Sequence, residues 1–275
     1  MIGEHQLCFY GLLRIPLIKL LMMYAPVIQV NDLTAKYGDT IILKDINFVV
    51  NRGEVFIILG GSGCGKSTLL KHLIGLYQPA SGQILIHGKN LVSTIGKDRK
   101  KLIQTFGVMY QTGALFGSMT LIENVALPLE EFTCIPVAGI QKIARIKLNL
   151  VGLTGYEQYY PSEVSGGMQK RAAIARAMAL DPDILFLDEP SAGLDPITAA
   201  GLDQLIIHLS RDLNMTVIIV THELASIETI SDRVIMLDKR VKGIVAEGQP
   251  LDLKEHSNIP WVRDFFNRHV DEIIT

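Results

Sequence analysis

The octapeptide Gly60-Gly61-Ser62-Gly63-Cys64-Gly65-Lys66-Ser67 restricts what this chain can fold into more than any other segment. It fits the spacing GxxxxGK[ST], with a short apolar run (55–59) before it and a helical pattern from 66 to about 76 after it. Glycines admit backbone angles closed to other residues, so successive amide groups can turn inward around an anion. The helix that follows adds unsatisfied N–H donors and a favourable dipole at its start. In such a loop Lys66 meets the β- and γ-phosphates as a point charge, and the Ser67 hydroxyl ligates Mg²⁺. A solvated glycine turn is the bland alternative. The string arises by chance in roughly one chain in a hundred of this length, and the strand–loop–helix setting lowers that further.

The remaining composition narrows the class. With 275 residues, 48% of them hydrophobic and 20% charged, the chain can bury a sizeable core. Twenty-six basic against 28 acidic residues argue against a bulk electrostatic grip on nucleic acid, and no nucleic-acid partner is expected. Mean hydropathy is high, at +0.30. Yet no uncharged apolar run reaches the eighteen or so residues of a membrane span, which suits a protein docked on something apolar. Cys8, Cys64 and Cys134 are widely spaced, so neither a disulfide framework nor a zinc site is indicated. Residues 1–22 make a poor signal peptide, because Arg14, Pro16 and Lys19 interrupt the apolar stretch. They are set apart from the fold as an N-terminal extension, with Met22 or Met23 a candidate start.

Two β-rich segments, 27–33 and 40–50, flank the turn Tyr37-Gly38-Asp39, and 83–87 reads as a further strand. The middle, from 121 to 180, carries helical periodicity. The runs 184–187 and 217–220 are continuously apolar, as a parallel sheet covered on both faces requires. The expected architecture is an α/β core, an antiparallel β piece on its N-terminal side, and a helical insertion between two core strands.

Three further motifs carry chemistry. The run 184–187 ends in Asp188 and Glu189, delivered where open α/β sheets bind ligands. Asp188 is expected to hold a water on Mg²⁺, and Glu189 to polarise the attacking water. Ser165-Gly166-Gly167-Met168-Gln169 opens an Ala-rich helix expected to run to Leu180, a second anion-binding helix start on one chain. Taken alone, it reads as an N-cap at Ser165 with Lys170, Arg171 and Arg176 solvated. Asp195-Pro196 has the form of an N-cap followed by proline at the first helical position. Cys64 sits among amide donors beside Lys66, a setting that can lower a thiol pKa, so ATP is expected to shield it from alkylation.

In the order P-loop, glutamine, SGG, acidic pair and histidine, residues 27–250 resemble the ATPase subunit of ABC transporters. The resemblance implies a P-loop NTPase fold with a parallel-sheet core, an N-terminal antiparallel β subdomain and a helical insertion. It implies an ATPase domain at 23–250, a helical subdomain at about 112–180 and a C-terminal tail at 251–275. It implies ATP contacts from Tyr37 and from Gly60 to Thr68, although Tyr37 reads equally well as a turn tyrosine. Gln111 resembles the glutamine that senses Mg²⁺ and couples it to the helical region, and His222 the switch histidine that contacts the γ-phosphate. Ser165, Gly166, Gly167, Met168 and Gln169 resemble the signature that caps ATP on a second subunit, so two ATP molecules would join a head-to-tail dimer. Asp195 resembles the loop crossing that interface. The common signature is LSGGQ; here Val164 and Met168 depart from it.

That departure, with Gln111-Thr112-Gly113-Ala114-Leu115-Phe116 and Asp195-Pro196-Ile197-Thr198, is similar to the Mce/Mla-type lipid-transport ATPases. This branch implies an integral membrane permease docking near residues 121–131, an MCE-domain lipid-binding protein and a STAS-domain protein. It implies a place on the cytoplasmic face of the bacterial inner membrane and a cargo of phospholipids or other hydrophobic compounds. The alternatives are another cargo, a cell-division complex, or a DNA-maintenance ATPase. The last would need long heptad-bearing coiled coils, which are absent here. The tail around Trp261, Val262, Phe265 and Phe266 has helical spacing and is expected to pack on its own domain.

Overall fold

A computed structural model of the chain describes residues 26–267. The extension at 1–22, with Cys8, and the end of the tail lie outside the described residues. Two sheets stack against each other. The smaller is antiparallel, in the order β2-β1-β4-β5, built from β1 (Ile28–Tyr37), β2 (Thr40–Val50), β4 (Ser81–Ile86) and β5 (Lys89–Asn90). The larger has the order β10-β9-β3-β8-β7-β6. It contains β3 (Val55–Gly60), β6 (Phe106–Met109), β7 (Ile184–Asp188), β8 (Thr216–Val220), β9 (Arg233–Asp238) and β10 (Gly243–Gly248). The pairs β9-β3, β3-β8, β8-β7 and β7-β6 are parallel, and β10 lies antiparallel on β9.

Strand periodicity divides the interior in two. Phe56, Ile58, Ile184, Phe186, Ile218 and Val220 face the smaller sheet and α1 (Lys66–Leu73), where Phe48 stacks on Phe56 at 5.4 Å. Val55, Ile57, Leu59, Leu185, Leu187, Val217 and Ile219 face the opposite side, toward the helices. Both faces of these strands are covered, which is why they read as continuous rather than alternating apolar runs. By contrast β1, in the hairpin, shows a mixed pattern of buried and partly exposed positions.

The helical insertion leaves at the end of β6 and returns at β7, its neighbour in the sheet. It holds α3 (Leu121–Phe132), α4 (Val137–Leu150) and α5 (Gly166–Ala177); the short α2 (Gly96–Ile103) precedes β6. Thr120 starts α3 with a full capping box to Glu123. After β7 come α6 (Pro196–Arg211), α7 (Leu224–Ile230), α8 (Pro250–His256) and α9 (Pro260–Asn267). Val262 and Phe266 are buried in the helix-side cluster, and the Arg240 guanidinium lies 5.4 Å from the Trp261 ring centre.

Two helices end earlier than their patterns suggest. Gly75, at φ 72°, stops α1 near Leu73 rather than Leu76. Its N–H donates to His72 O and that of Leu76 to Lys71 O, the paired bonds of a Schellman end. Helix α5 stops at Ala177 rather than Leu180, closing through Ala179 N–H to Arg176 O before Asp181 turns left-handed at φ 51°.

Candidate nucleotide site

Four adjacent parallel strands bring the sequence motifs to one sheet edge. In the order β3-β8-β7-β6 their C-terminal ends carry the glycine loop, His222, Asp188-Glu189 and Gln111. Asp188 pairs in register with Val220, and Leu187 with Met109, so these ends are level. This is the edge at which open α/β sheets take ligands.

Two glycines in the loop are sterically obligatory. A Cβ on Gly60 (φ 143°) would lie 2.4 Å from Leu237 O, and one on Gly65 (φ 105°) would lie 2.8 Å from Leu43 Cδ2. Gly65 leads into α1, which has no side-chain cap, so its first amides are left for an external acceptor. Lys66 Nζ folds back to donate to Gly60 O at 2.8 Å and Gly61 O at 3.2 Å. Gly61, Ser62, Gly63 and Ser67 are exposed, and Thr68 is half-buried. Cys64 corrects an expectation: its side chain is 3% exposed and packs into the apolar cluster beneath the loop. Burial pushes its thiol pKa up, and this outweighs the neighbouring Lys66 charge. Only the Cys64 backbone is in the loop.

Glu189 is nearly buried and adopts φ 47°, left-handed for a non-glycine residue, with its N–H bonded to Val220 O at 2.8 Å. His222 Nδ1 lies 2.8 Å from Glu189 Oε1, while the buried Oε2 has no partner among the described residues. Asp188 has its pKa raised by burial and by Glu189, against the opposing pull of Lys71, Lys170 and Lys66. The Gln111 side chain is exposed just past β6. Tyr37, 69% exposed, lines a cavity of about 400 Å³ with His72, Leu76 and Tyr77.

The residues 165–169 form a separate surface; among the described residues no hydrogen bond joins them to the glycine loop. Ser165 Oγ accepts from Met168 N–H at 3.3 Å, capping α5. A Cβ on Gly167 would meet Thr198 Cγ2 at 2.4 Å, so this glycine lets α5 approach α6. Met168 is half-buried against the helix-side cluster, which accounts for an apolar residue where the common signature has glutamine. Gln169 turns inward, its Nε2 donating to Pro161 O at 2.9 Å. Asp195 caps α6 by accepting from Ile197 and Thr198 N–H, and its carboxyl is held below the usual range first by the Thr198 hydroxyl.

Three cations expected in solvent are engaged instead. Arg171 donates to Val151 O and Gly201 O, and Arg176 to Gly113 O and Ala114 O. Lys170 is 9% exposed and donates to Gln111 O and to Glu189 O. Burial lowers its pKa, while Asp188 and Glu189 oppose that shift. The signal in sequence was its place one turn before the buried Ile174, on the inward face of α5.

The donor set suits Mg²⁺: the Ser67 hydroxyl and the Gln111 amide offer hard oxygens, and the Asp188 carboxylate could hold a water beside them. Among the described residues no three His, Cys, Asp or Glu side chains converge as a metal site. The free buried Oε2 of Glu189 lies within the same edge.

Residues 43–192 match the family model described as ABC transporter. The chain is 44% identical over 240 residues to the probable ribonucleotide transport ATP-binding protein mkl of Mycobacterium tuberculosis, covering 87% of this chain. It spans 66% of that relative's length, just under two thirds. It is 39% identical over 233 residues to the intermembrane phospholipid transport system ATP-binding protein MlaF of Haemophilus influenzae, covering 84% of this chain and 87% of MlaF. Among solved structures, the dimeric post-hydrolysis state of the ATP-binding cassette MJ0796 bound to ADP and Pi superposes with a TM-score of 0.73. That match has 30% identity and covers 81% of this chain and 98% of the other.

Proposed function

Because this chain belongs to the ABC transporter family, we propose that it is the ATP-hydrolysing subunit of a membrane transporter that moves phospholipids or other hydrophobic compounds. The amides of residues 60–68 and Lys66 hold the β- and γ-phosphates, and Tyr37 stacks on adenine. Ser67, Gln111 and, through water, Asp188 hold Mg²⁺. When bound, Mg²⁺ neutralises charge developing on the transferred phosphoryl group. Glu189 Oε2 takes a proton from the attacking water as its oxygen bonds to the γ-phosphorus and ADP leaves. His222 holds Oε1 and faces the γ-phosphate. Ser165, Gly166 and Gly167 of a second copy close over that phosphate, with Asp195 at the interface. Closing and reopening then drive the permease.

The observation that carries this reading is the Glu189–His222 pair, which leaves one buried carboxylate oxygen free at the sheet edge. Glu189→Gln is expected to keep ATP affinity, to lose about 10²–10⁴-fold in hydrolysis, and to accumulate an ATP-bound dimer on size exclusion. Hydrolysis at the native rate would remove Glu189 from the role.

Among the described residues no helix is long and apolar enough to cross a membrane. The same proposal puts the chain on the cytoplasmic face of the inner membrane, bound to a permease, an MCE-domain protein and a STAS-domain protein. Support for the lipid cargo comes from MlaF, which matches along most of both chains, whereas the mkl relatives are described as probable ribonucleotide transport ATP-binding proteins. Capture of Glu189→Gln from native membranes with Mg·ATP, followed by mass spectrometry, decides the matter. Recovery of a polytopic permease with an MCE-domain protein supports lipid transport, and a different binding protein overturns that cargo.

A further inference from the structure

Lys170 stands apart from every role assigned above, and its surroundings are unusual for a lysine. It is 9% exposed, on the first turns of α5, and its ammonium donates to the main-chain oxygens of Gln111 and Glu189. Those oxygens belong to two loops that leave neighbouring strands, β6 and β7. For Gln111 O, Lys170 is the one hydrogen-bond partner among the described residues. Glu189 O accepts a second bond from Ala192 N–H at 3.2 Å. Withdrawing an ammonium from water is expensive, and two carbonyl bonds with the nearby Asp188 and Glu189 charges offset that expense. A solubilising lysine has no reason to be here.

We propose that Lys170 is a positioning residue that ties the Gln111 loop and the Glu189 main chain to the helix bearing Ser165–Gln169. One side chain thereby fixes the Gln111 loop relative to Glu189 and makes both follow any displacement of α5. This rests on the hydrolytic roles proposed for Gln111 and Glu189. The left-handed Glu189 backbone needs such external support, because its conformation is unfavourable for a residue with a Cβ. Arg176 also holds the Gln111 loop to α5, through Gly113 O and Ala114 O, and Arg171 bonds to Val151 and Gly201, but neither reaches Glu189, so among the described residues Lys170 alone joins the loop to that residue.

The test compares Lys170→Met and Lys170→Arg in the full chain, measuring kcat, KM and equilibrium ATP binding without turnover. Methionine keeps the apolar stem and removes the donors; arginine keeps charge and donors. Lys170→Met is expected to lower kcat at least tenfold while ATP affinity stays within about threefold, since Lys66 and Ser67 are untouched. Lys170→Arg is expected to recover most of the rate. A kcat within twofold of native in Lys170→Met overturns the proposal. So does a parallel loss of ATP affinity and kcat, or equal damage in both variants, since either marks a general packing role. Should Lys170→Met not fold, Lys170→Leu, which likewise removes the donors, replaces it under the same criteria. Glu189→Gln measured alongside separates the two readings: native hydrolysis there defeats the role of Glu189, whatever Lys170 does.

Discussion

The chain has two glycine-rich helix starts that look alike in sequence and are finished differently. Helix α1 begins at a left-handed Gly65 with no side-chain cap, beneath exposed loop residues. Helix α5 begins at Ser165, whose oxygen already accepts from Met168 N–H. The first start leaves its amides for an incoming anion. The second satisfies itself and keeps a hydroxyl proton to donate. Under the proposed function, one end captures phosphate, and the other stays stable in water until a phosphate is presented to it.

The largest effect comes from disabling the open start. Lys66→Ala removes charge-assisted bonds to phosphate worth about 1.5–3 kcal/mol each, so ATP affinity should fall by about two orders of magnitude, read by calorimetry. Next, Gly167→Ala forces a Cβ to within 2.4 Å of Thr198 Cγ2 and displaces the second start. ATP binding to the single chain should survive, while ATP-driven dimerisation and hydrolysis drop together. Unchanged hydrolysis would break the proposed division of labour. Ser165→Ala should cost the isolated chain about 1 kcal/mol of cap, a fall in Tm of about 2–4 °C by calorimetry. Gly65 has no cap to lose.

The smallest effect concerns Cys64. Its raised pKa means that the thiolate forms only above the ordinary thiol range, so alkylation should be slow at neutral pH and accelerate as pH rises. A thiol reached only when the fold opens should be protected by Mg·ATP no more than nucleotide stabilises the fold. Protection beyond that measured gain in stability would place the thiol on the phosphate side after all.

The core strands and motif order were legible because β3, β7 and β8 are short apolar runs whose ends carry the chemistry. The N-cap at Asp195 was legible for a local reason: the Asp-Pro pair sets both the cap and the first helical φ. The missing features depend on tertiary neighbours. Strand β9 is apolar at Val234–Leu237, but only its pairing with β3 separates it from an ordinary core segment. Cys64 depended on which side of a loop faces the core, and loop spacing does not encode that. Lys170 looked solvated because its partners are main-chain oxygens 59 and 19 residues away.

The uncapped start of α1 also ties the chain's persistence to its surroundings. A ligand that enters an open cradle in the folded state and ignores the unfolded chain adds directly to stability. At free nucleotide a hundredfold above Kd the gain is about 2.7 kcal/mol. Under nucleotide depletion the folded chain forfeits that increment, so resistance to unfolding and proteolysis should track the energy charge of the cell.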